Sequence, residues 1–289
     1  MQIVVLVAKA NGLELAPVEA LLHAWGGAGL RWLSPGEAAE FALPARPENF
    51  EQVRADLQTL GVDLNIVPVI GRRKKMLLAD MDSTMIGQEC IDELADMAGV
   101  GAHVAAITAR AMNGELDFEA ALKERVGLLK GLPEGVIAQV LAERITYTPG
   151  GRQLIATMHR EGGHAALVSG GFTAFTSAVA AHLGFDEHRA NVLLAEDGRL
   201  TGKVALPILG RQAKIDALED ITARLGITAD DVLAVGDGAN DLGMLGRAGF
   251  GVALHAKPSV AAQCDIRINH GDLSALLFLQ GYARTEFAA

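Results

Sequence analysis

Residues 76–89 have the sequence Met-Leu-Leu-Ala-Asp-Met-Asp-Ser-Thr-Met-Ile-Gly-Gln-Glu, and the interpretation of the whole chain starts from them. The apolar run 76–79 is typical of a buried parallel strand. Asp80 and Asp82 follow where this strand ends, and a turn there allows both carboxylates to point into one crevice. Two such acids repel each other unless a cation or a shared proton lies between them. This stretch alone is equally compatible with a solvated pair of aspartates, so the distinction depends on the rest of the chain.

The composition predicts a soluble, cytoplasmic α/β protein. The chain has 289 residues, half of them apolar, and a formal net charge of −10. This length is enough for one large domain or two smaller ones, and the acidic balance disfavours a nucleic-acid partner. The only dense basic run, residues 72–75, is interpreted as a solvated linker or a strand entry. Neither a membrane span nor a secretion signal is indicated, and the two cysteines predict no disulfide framework.

Residues 1–71 are predicted to form a small βαββαβ unit. This segment has no cluster of catalytic residue types, so we interpret it as a regulatory or assembly module. Its predicted strands are 2–8, 29–33, 38–43 and 64–70, and its predicted helices are 16–27 and 49–60.

Residues 72–289 are predicted to form the larger part, which is interrupted by a helical cap at about 86–148. The remainder alternates between strands and helices, which predicts a doubly wound, mostly parallel sheet with its ligand at the carboxyl ends of the strands. The predicted cap helices are 88–98, 101–113, 117–128 and 134–143. The other predicted elements are strands 76–79, 164–169, 232–235, 249–253 and 265–268, helices 149–160, 172–183, 211–225, 241–247 and 272–280, and a hairpin at 190–204.

Three further groups of polar residues occur where such a sheet places its site. Ser169-Gly170-Gly171 follows a predicted strand and leaves backbone N–H groups open to an anion at a helix N-terminus, although an ordinary glycine turn has the same pattern. Lys214 lies early in a predicted helix, where it is either a phosphate-binding cation or a surface lysine. The segment 236–241, Gly-Asp-Gly-Ala-Asn-Asp, adds two carboxylates after another strand. Together with Asp80 these are the hard oxygen ligands that Mg²⁺ prefers, whereas the spacing of a Ca²⁺-binding EF-hand loop is absent.

This set of groups suits chemistry on a small phosphorylated molecule. A carboxylate can attack phosphorus and form an acyl phosphate, which divides one difficult step into two easier ones. A second carboxylic acid can protonate the leaving oxygen and later deprotonate the attacking water. Because phosphate-monoester hydrolysis needs acceleration up to ~10²¹-fold, a metal ion, a lysine and backbone donors are all expected at one phosphoryl group.

The four motifs resemble, in order and spacing, those of the haloacid-dehalogenase-like (HAD) phosphatases. The motifs are residues 80–84, residues 169–171, Lys214 and residues 236–241. The extension Glu89-Cys90-Ile91-Asp92-Glu93 is similar to the phosphoserine phosphatase subfamily in particular. The resemblance covers about 72–280 and implies a Rossmann-like HAD core with a helical cap insertion. Residues 1–71 resemble an ACT-type α+β domain by pattern only, so a serine-binding role is left open.

The resemblance implies a role for each site residue. Asp80 would be the nucleophile and Asp82 the general acid and base. Mg²⁺ would be held by Asp80, the backbone carbonyl of Asp82 and Asp237, with Asp241 orienting a metal-bound water. The phosphoryl oxygens would be bound by Ser169, Gly170, Lys214 and Asn240. Glu89 would take the ammonium group of the substrate and Arg125 its carboxylate, and Met112 and Phe118 would be apolar walls that exclude water when the cap closes.

The function implied by the resemblance is Mg²⁺-dependent hydrolysis of O-phospho-L-serine, the last step of serine biosynthesis, through a phosphorylated Asp80. One alternative keeps the site but transfers the phosphoryl group to an alcohol such as homoserine, or hydrolyses another small phosphomonoester. A non-enzymatic alternative is an amino-acid sensor that uses the N-terminal module. The expected partner is therefore a small molecule, with neither nucleic acid nor membrane, and a homodimer is possible.

Overall fold

A computed structural model describes residues 1–112 and 116–288, without the side chains of residues 109, 111 and 112. The N-terminal segment forms a four-stranded antiparallel sheet with the strand order β2-β3-β1-β4. Its elements are β1 (Gln2–Ala8), α1 (Leu15–Ala24), β2 (Ala28–Ser34), β3 (Ala38–Leu43), α2 (Phe50–Thr59) and β4 (Val62–Pro68). The predicted βαββαβ order of this unit is confirmed.

The rest of the chain is built around a six-stranded parallel sheet with the order β12-β11-β10-β5-β6-β7. Its first strand is β5, and several helices connect it to the next strand. These elements are β5 (Met76–Ala79), α3 (Cys90–Met97), α4 (Gly101–Met112), α5 (Phe118–Gly127), α6 (Val136–Glu143) and α7 (Gly151–Arg160). They are followed by β6 (His164–Phe172), α8 (Thr173–Leu183), β7 (Glu187–Asn191), β8 (Leu193–Glu196), β9 (Arg199–Val204), α9 (Arg211–Leu225), β10 (Val232–Gly236), α10 (Leu242–Leu245), β11 (Phe250–Leu254), α11 (Pro258–Ala261), β12 (Ile266–Ile268) and α12 (Ala275–Leu279).

The connectivity places the topological switch point at β5. From β5 the chain proceeds through β6 and β7 to one edge of the sheet, and it then returns to add β10, β11 and β12 on the other side. In open α/β sheets the crevice at such a point, beyond the carboxyl ends of the strands, is where ligands bind. β5 is fully buried because helices cover both faces of the sheet, which explains why its four residues are all apolar.

The helices α3 to α6 form the cap between β5 and β6. Two short connections join the cap to the core, and they pair with each other through an antiparallel bridge between Ile86 and Tyr147. The amide of Thr148 donates to the carbonyl of Met85 at 3.0 Å, which extends this pairing. The hairpin β8–β9 packs against the cap, where the amide of Gly131 donates to the carbonyl of Leu200 at 2.8 Å.

Two predictions need correction. The predicted hairpin 190–204 begins too early, because residues 187–191 are the edge strand β7, which pairs in parallel with β6. Its sequence, Glu-His-Arg-Ala-Asn, lacks the apolar run of a central strand, so no periodicity marks it. The basic run enters β5 as predicted, but only Arg73 and Lys75 are exposed to solvent. Arg72 donates to the carbonyls of Phe278 and Leu279, and Lys74 is 8% exposed with its Nζ donating to the carbonyl of Asp230. Long cationic side chains can bury their stems in this way when carbonyl oxygens satisfy the charged head.

The N-terminal sheet and the larger part share one hydrophobic core. Val4 and Leu6 of β1 pack against the helices of the N-terminal unit, while Val5 and Val7 belong to the same buried cluster as Leu276. A polar junction adds to this contact, since the fully buried Asp63 accepts hydrogen bonds from the amides of residues 269–271 at 2.8–2.9 Å. In the part of the chain that the structure describes, no helix is long and apolar enough to span a membrane.

Candidate active site

A buried lysine between two carboxylates lies at the centre of the crevice. Lys214, in the first turn of α9, is 1% exposed, and its Nζ lies 2.7 Å from Oδ1 of Asp80 and 2.6 Å from Oδ1 of Asp241. Asp80 follows β5 and Asp241 follows β10, and these two strands are neighbours in the sheet. Burial acts to lower the pKa of Lys214, but Asp241 and Asp80 outweigh it and raise that pKa. The lysine is therefore a permanent cation at this site.

The two acids beside Lys214 have different surroundings. Asp80 is 5% exposed, and burial together with the negative charge of Asp241 raises its pKa well above the ordinary value, although Lys214 opposes this effect. Its Oδ1 also accepts a 2.7 Å hydrogen bond from the amide of Met81. Asp241 uses Oδ1 for Lys214 and Oδ2 for the amides of Asp237 and Gly238, at 3.2 and 2.9 Å. The contacts of Asp241 fix the loop after β10 and join it to Lys214 of α9, whereas both contacts of Asp80 use a single oxygen.

Asp82 is suited to carry a proton. Its Oδ1 accepts a 3.2 Å hydrogen bond from the amide of Cys90, and burial, with a contribution from the charge of Glu89, raises its pKa to about 7. A carboxylic acid with a pKa near neutrality can both donate and accept a proton at physiological pH. The neighbouring Cys90 is buried next to this acid, which raises the pKa of its thiol and leaves it without nucleophilic character.

Three carboxylates form a cluster that could hold a divalent metal ion. One oxygen from each of Asp80, Asp237 and Asp241 lies within 4.8 Å of the others. Burial and the charge of Asp241 raise the pKa of Asp237 to about 6, and its recorded side-chain partner is the hydroxyl of Thr84 at 3.3 Å. Hard oxygen donors with a surplus of negative charge suit a cation such as Mg²⁺, and this donor set therefore fits the predicted metal. The side chain of Asp82 is outside this cluster, and the predicted role of its backbone carbonyl as a metal ligand stays a prediction.

The phosphate-binding candidates lie where the regular pairing of β6 with β7 is interrupted. Ser169 is 2% exposed, and its Oγ accepts a 2.8 Å hydrogen bond from the amide of Gly171. A Cβ at Gly171 would lie 2.8 Å from Oδ2 of Asp82, so only glycine allows this segment to approach the acid so closely. Asp82 and Ser169 therefore both lie beside Gly171, and both line the crevice.

The cap supplies charged and apolar groups to the same cavity. Arg125 of α5 is half-buried, with Nε donating to the carbonyl of Ala121 at 3.2 Å and Nη1 directed at the hydroxyl of Thr108 at 3.5 Å. Burial lowers its pKa, and Asp92 and Glu89 oppose this effect. The Glu89 carboxylate accepts a 2.7 Å hydrogen bond from Ser83. Phe118 lies over the two glycines 170 and 210, since a Cβ on either would contact its ring at 3.1 Å.

A single cavity of about 770 Å³ unites these groups. Most of the predicted site residues line it: Asp80, Asp82, Glu89, Phe118, Arg125, Ser169, Gly170, Asp237 and Asn240. Lys214 and Asp241 are buried; Lys214 contacts Asp80 directly, and Asp241 contacts Lys214 and the amide of the cavity-lining Asp237. The prediction for Met112 concerns a side chain outside the described part of the structure.

The sequence interpretation missed three contributors to the site. Asp92 lines the cavity, and its Oδ1 is buried with no hydrogen-bond partner among the described residues. Arg211, at the first position of α9, also lines it. Asn191 makes three hydrogen bonds to the backbone around the phosphate-binding candidates. Asp92 belongs to the quoted motif extension and could have been selected, but no local pattern marks the other two.

Comparison with known proteins identifies similar chains. The family model described as haloacid dehalogenase-like hydrolase matches residues 77–246. A phosphoserine phosphatase from Streptomyces coelicolor is 42% identical over 261 residues, which cover 88% of this chain and 63% of the relative. One from Haemophilus influenzae is 47% identical over 204 residues, which cover 71% of this chain and 65% of the relative. The chain thus spans just under two thirds of the length of these curated relatives.

A solved structure is similar over nearly the whole chain. It is described as a probable phosphoserine phosphatase from Vibrio cholerae in unliganded form, and it is 32% identical with a TM-score of 0.80. The match covers 99% of this chain and 88% of that structure, so the likeness includes both the N-terminal sheet and the larger part.

Proposed function

Because this chain belongs to the haloacid dehalogenase-like hydrolase family, we propose that it is a Mg²⁺-dependent phosphatase that hydrolyses O-phospho-L-serine to L-serine and phosphate. The observation that carries the proposal is the composition of one cavity. It joins the Asp80–Lys214 pair and Asp82 on the core side to Glu89 and Arg125 on the cap side. An α-amino acid presents one cation and one anion, and these two cap residues offer one partner for each.

In the first proposed step, a carboxylate oxygen of Asp80 attacks phosphorus while the bond from phosphorus to the seryl oxygen breaks. Both recorded contacts of Asp80 use Oδ1, so the lone pairs of Oδ2 remain available. Asp82, with its pKa of about 7, donates its proton to the leaving seryl oxygen. The products of this step are L-serine and a phosphorylated Asp80.

In the second proposed step, water attacks the phosphorus of the acyl phosphate. Asp82, now ionised, accepts a proton from this water, and the bond between phosphorus and the Asp80 oxygen breaks to release phosphate. Lys214, Ser169 and the amide of Gly170 balance the negative charge on the phosphoryl oxygens through both steps.

The metal ion would be held by Asp80, Asp237 and the carbonyl of Asp82. When bound, it supplies positive charge that offsets the charge of the phosphoryl group and of the carboxylates around it. Asp241 has both carboxylate oxygens engaged by Lys214 and two backbone amides, so we assign it to loop positioning and to orienting a water.

The proposal extends to the organisation of the chain. Residues 1–71 would be an ACT-like regulatory or assembly domain and residues 72–289 the phosphatase domain, with the cap at about 86–148. The βαββαβ order and the antiparallel sheet support the first assignment. Cytoplasmic location and homodimer formation stay predictions.

Phosphate release from purified protein tests the proposed function. With Mg²⁺, O-phospho-L-serine should be the preferred substrate over O-phosphoethanolamine, 3-phosphoglycerate and para-nitrophenyl phosphate, and EDTA should abolish turnover. Asp80→Asn preserves the size of the side chain and should also abolish turnover, whereas Asp220→Asn, an exposed residue paired with Arg189, should leave it unchanged. Full activity of Asp80→Asn, or no preference for phosphoserine, would contradict the proposal.

A further inference from the structure

The ladder between β6 and β7 breaks at the phosphate-binding candidates. Val168 pairs with Arg189, and the next recorded pair is Phe172 with Asn191. Three residues of β6 therefore lie opposite a single residue of β7, which is an enlarged β-bulge. A bulge removes regular ladder hydrogen bonds, so the carbonyl of the half-buried Gly170 needs another partner.

The side chain of Asn191 supplies this partner. Its Nδ2 donates to the carbonyl of Gly170 at 2.9 Å and to the carbonyl of Leu209 at 3.1 Å, while its Oδ1 accepts from the amide of Leu209 at 2.7 Å. The residue is 2% exposed. Both amide hydrogens and the carbonyl oxygen of the side chain are thus satisfied by the backbone of two separate segments.

These two segments carry the proposed phosphate-binding groups. Gly170 lies inside the bulge, next to Ser169, and Leu209 immediately precedes Gly210, the N-cap residue of α9. Lys214 lies in the first turn of that helix. One amide side chain therefore links the bulge directly to the segment that enters α9.

We propose that Asn191 is a positioning residue that holds the Ser169–Gly170 backbone and the start of α9 at the separation one phosphoryl group requires. This inference rests on the proposed function, because it takes both segments as phosphate-binding. Asn191 itself would act only through Gly170 and Leu209. A preorganised site of this kind loses affinity when its supporting contacts are removed, even if every contacting group is retained.

The chain offers a matched control in Asn65. This residue is also fully buried and also clamps backbone, with Nδ2 donating to the carbonyl of Arg267 and Oδ1 accepting from its amide, both at 2.9 Å. Arg267 belongs to β12, at the edge of the sheet opposite β7. A purely structural loss should therefore be similar in the two variants.

The experiment measures binding of inorganic phosphate to the full chain with Mg²⁺ by calorimetry, alongside thermal unfolding. Asn191→Ala should weaken phosphate binding roughly 10- to 100-fold, since three hydrogen bonds to the backbone are lost. Asn65→Ala should lower the unfolding temperature comparably and leave phosphate affinity within about two-fold of the wild type. Asn191→Asp keeps the size and the acceptor for Leu209, so it provides a second variant if Asn191→Ala fails to fold.

Each outcome is decisive. Unchanged phosphate affinity in the folded Asn191 variants would overturn the inference, and so would an equal loss of affinity in Asn65→Ala. If the wild-type protein itself binds no phosphate, the proposed function fails first, and the inference about Asn191 fails with it. Weakened binding confined to the Asn191 variants would support both.

Discussion

Asp237→Asn should stabilise the metal-free protein, although it removes a residue of the proposed active site. In the absence of a cation, Asp237 lies close to Asp80 and Asp241. Lys214 is already shared by those two acids, and the charge of Lys257 offsets the effects of burial and of Asp241 on Asp237 only in part. Asparagine has the same shape and can still accept the hydrogen bond from Thr84. The substitution therefore removes charge repulsion and leaves the packing intact.

The magnitude follows from the pKa of Asp237. Its rise from 3.8 to about 6 corresponds to about 2–3 kcal/mol, at about 1.4 kcal/mol for each pH unit. An acid whose pKa is raised by folding binds its proton more tightly in the native state than in the unfolded state. It therefore costs stability as the pH rises from about 4 to about 6, and the full cost is present above that range.

Urea unfolding in EDTA at pH 4 and at pH 8 measures this effect. We expect Asp237→Asn and the wild type to have similar free energies of unfolding at pH 4, and the variant to be more stable by about 2–3 kcal/mol at pH 8. Asp241→Asn is the matched control on the same loop. It breaks contacts with Lys214 and two backbone amides, so it should destabilise by about 1–3 kcal/mol.

Adding Mg²⁺ should reverse the order of stability. The wild type should gain ~2.7 kcal/mol at a metal concentration 100 times the dissociation constant, while Asp237→Asn should gain much less. The reasoning is refuted if Asp237→Asn is no more stable than the wild type in EDTA at pH 8. It is also refuted if the stabilisation is equal at both pH values, because a charge effect must depend on ionisation.

Three further predictions concern the cap and the junction with the N-terminal sheet. Arg125→Ala should lower kcat/KM for phosphoserine about 10- to 100-fold and spare para-nitrophenyl phosphate, whereas Arg144→Ala, which pairs with acids on α3, should change neither value. Asp92→Asn should raise KM for phosphoserine more than for 3-phosphoglycerate, since Asp92 lines the cavity and its Oδ1 has no hydrogen-bond partner in the described part of the chain; the exposed Asp96→Asn is the control. Asp63→Ala leaves three backbone amides unsatisfied and should lower the free energy of unfolding by at least about 3 kcal/mol, and an unchanged urea midpoint would contradict the shared core.

The central part of the fold and the lining of the site were predictable because local chemistry marks them. Residues 76–79 are apolar without interruption, as expected for a strand covered on both faces, and the acids that follow lie at the strand end. The loop 236–241 shows the same pattern, because a buried strand is followed by glycines and carboxylates. In a parallel sheet these strand ends converge, so sequence order alone indicates a common site.

The remaining features depend on long-range contacts that leave no local pattern. Lys74 lies in a basic run that favours solvent, yet a carbonyl of Asp230, 156 positions along the chain, satisfies its ammonium group. Asn191 ends an edge strand without apolar alternation. Its proposed positioning role follows only from the bulge in β6, which no local sequence pattern indicates. The polar character of both residues is an unreliable guide to their solvent exposure. A polar group can be buried when it has hydrogen-bond partners in the folded chain.

The donor count of Lys214 connects the structure to the proposed chemistry. An ammonium group has three N–H donors, and in this structure Asp80 and Asp241 each accept from it at 2.6–2.7 Å. One donor therefore remains for a phosphoryl oxygen without breaking either contact. Asp241 holds the lysine independently of the nucleophile, so in the proposed mechanism the cation stays at the site while Asp80 changes from a free carboxylate to an acyl phosphate and back. A lysine paired with Asp80 alone would lose its anionic partner at the moment of phosphorylation, and the second carboxylate is what prevents this loss.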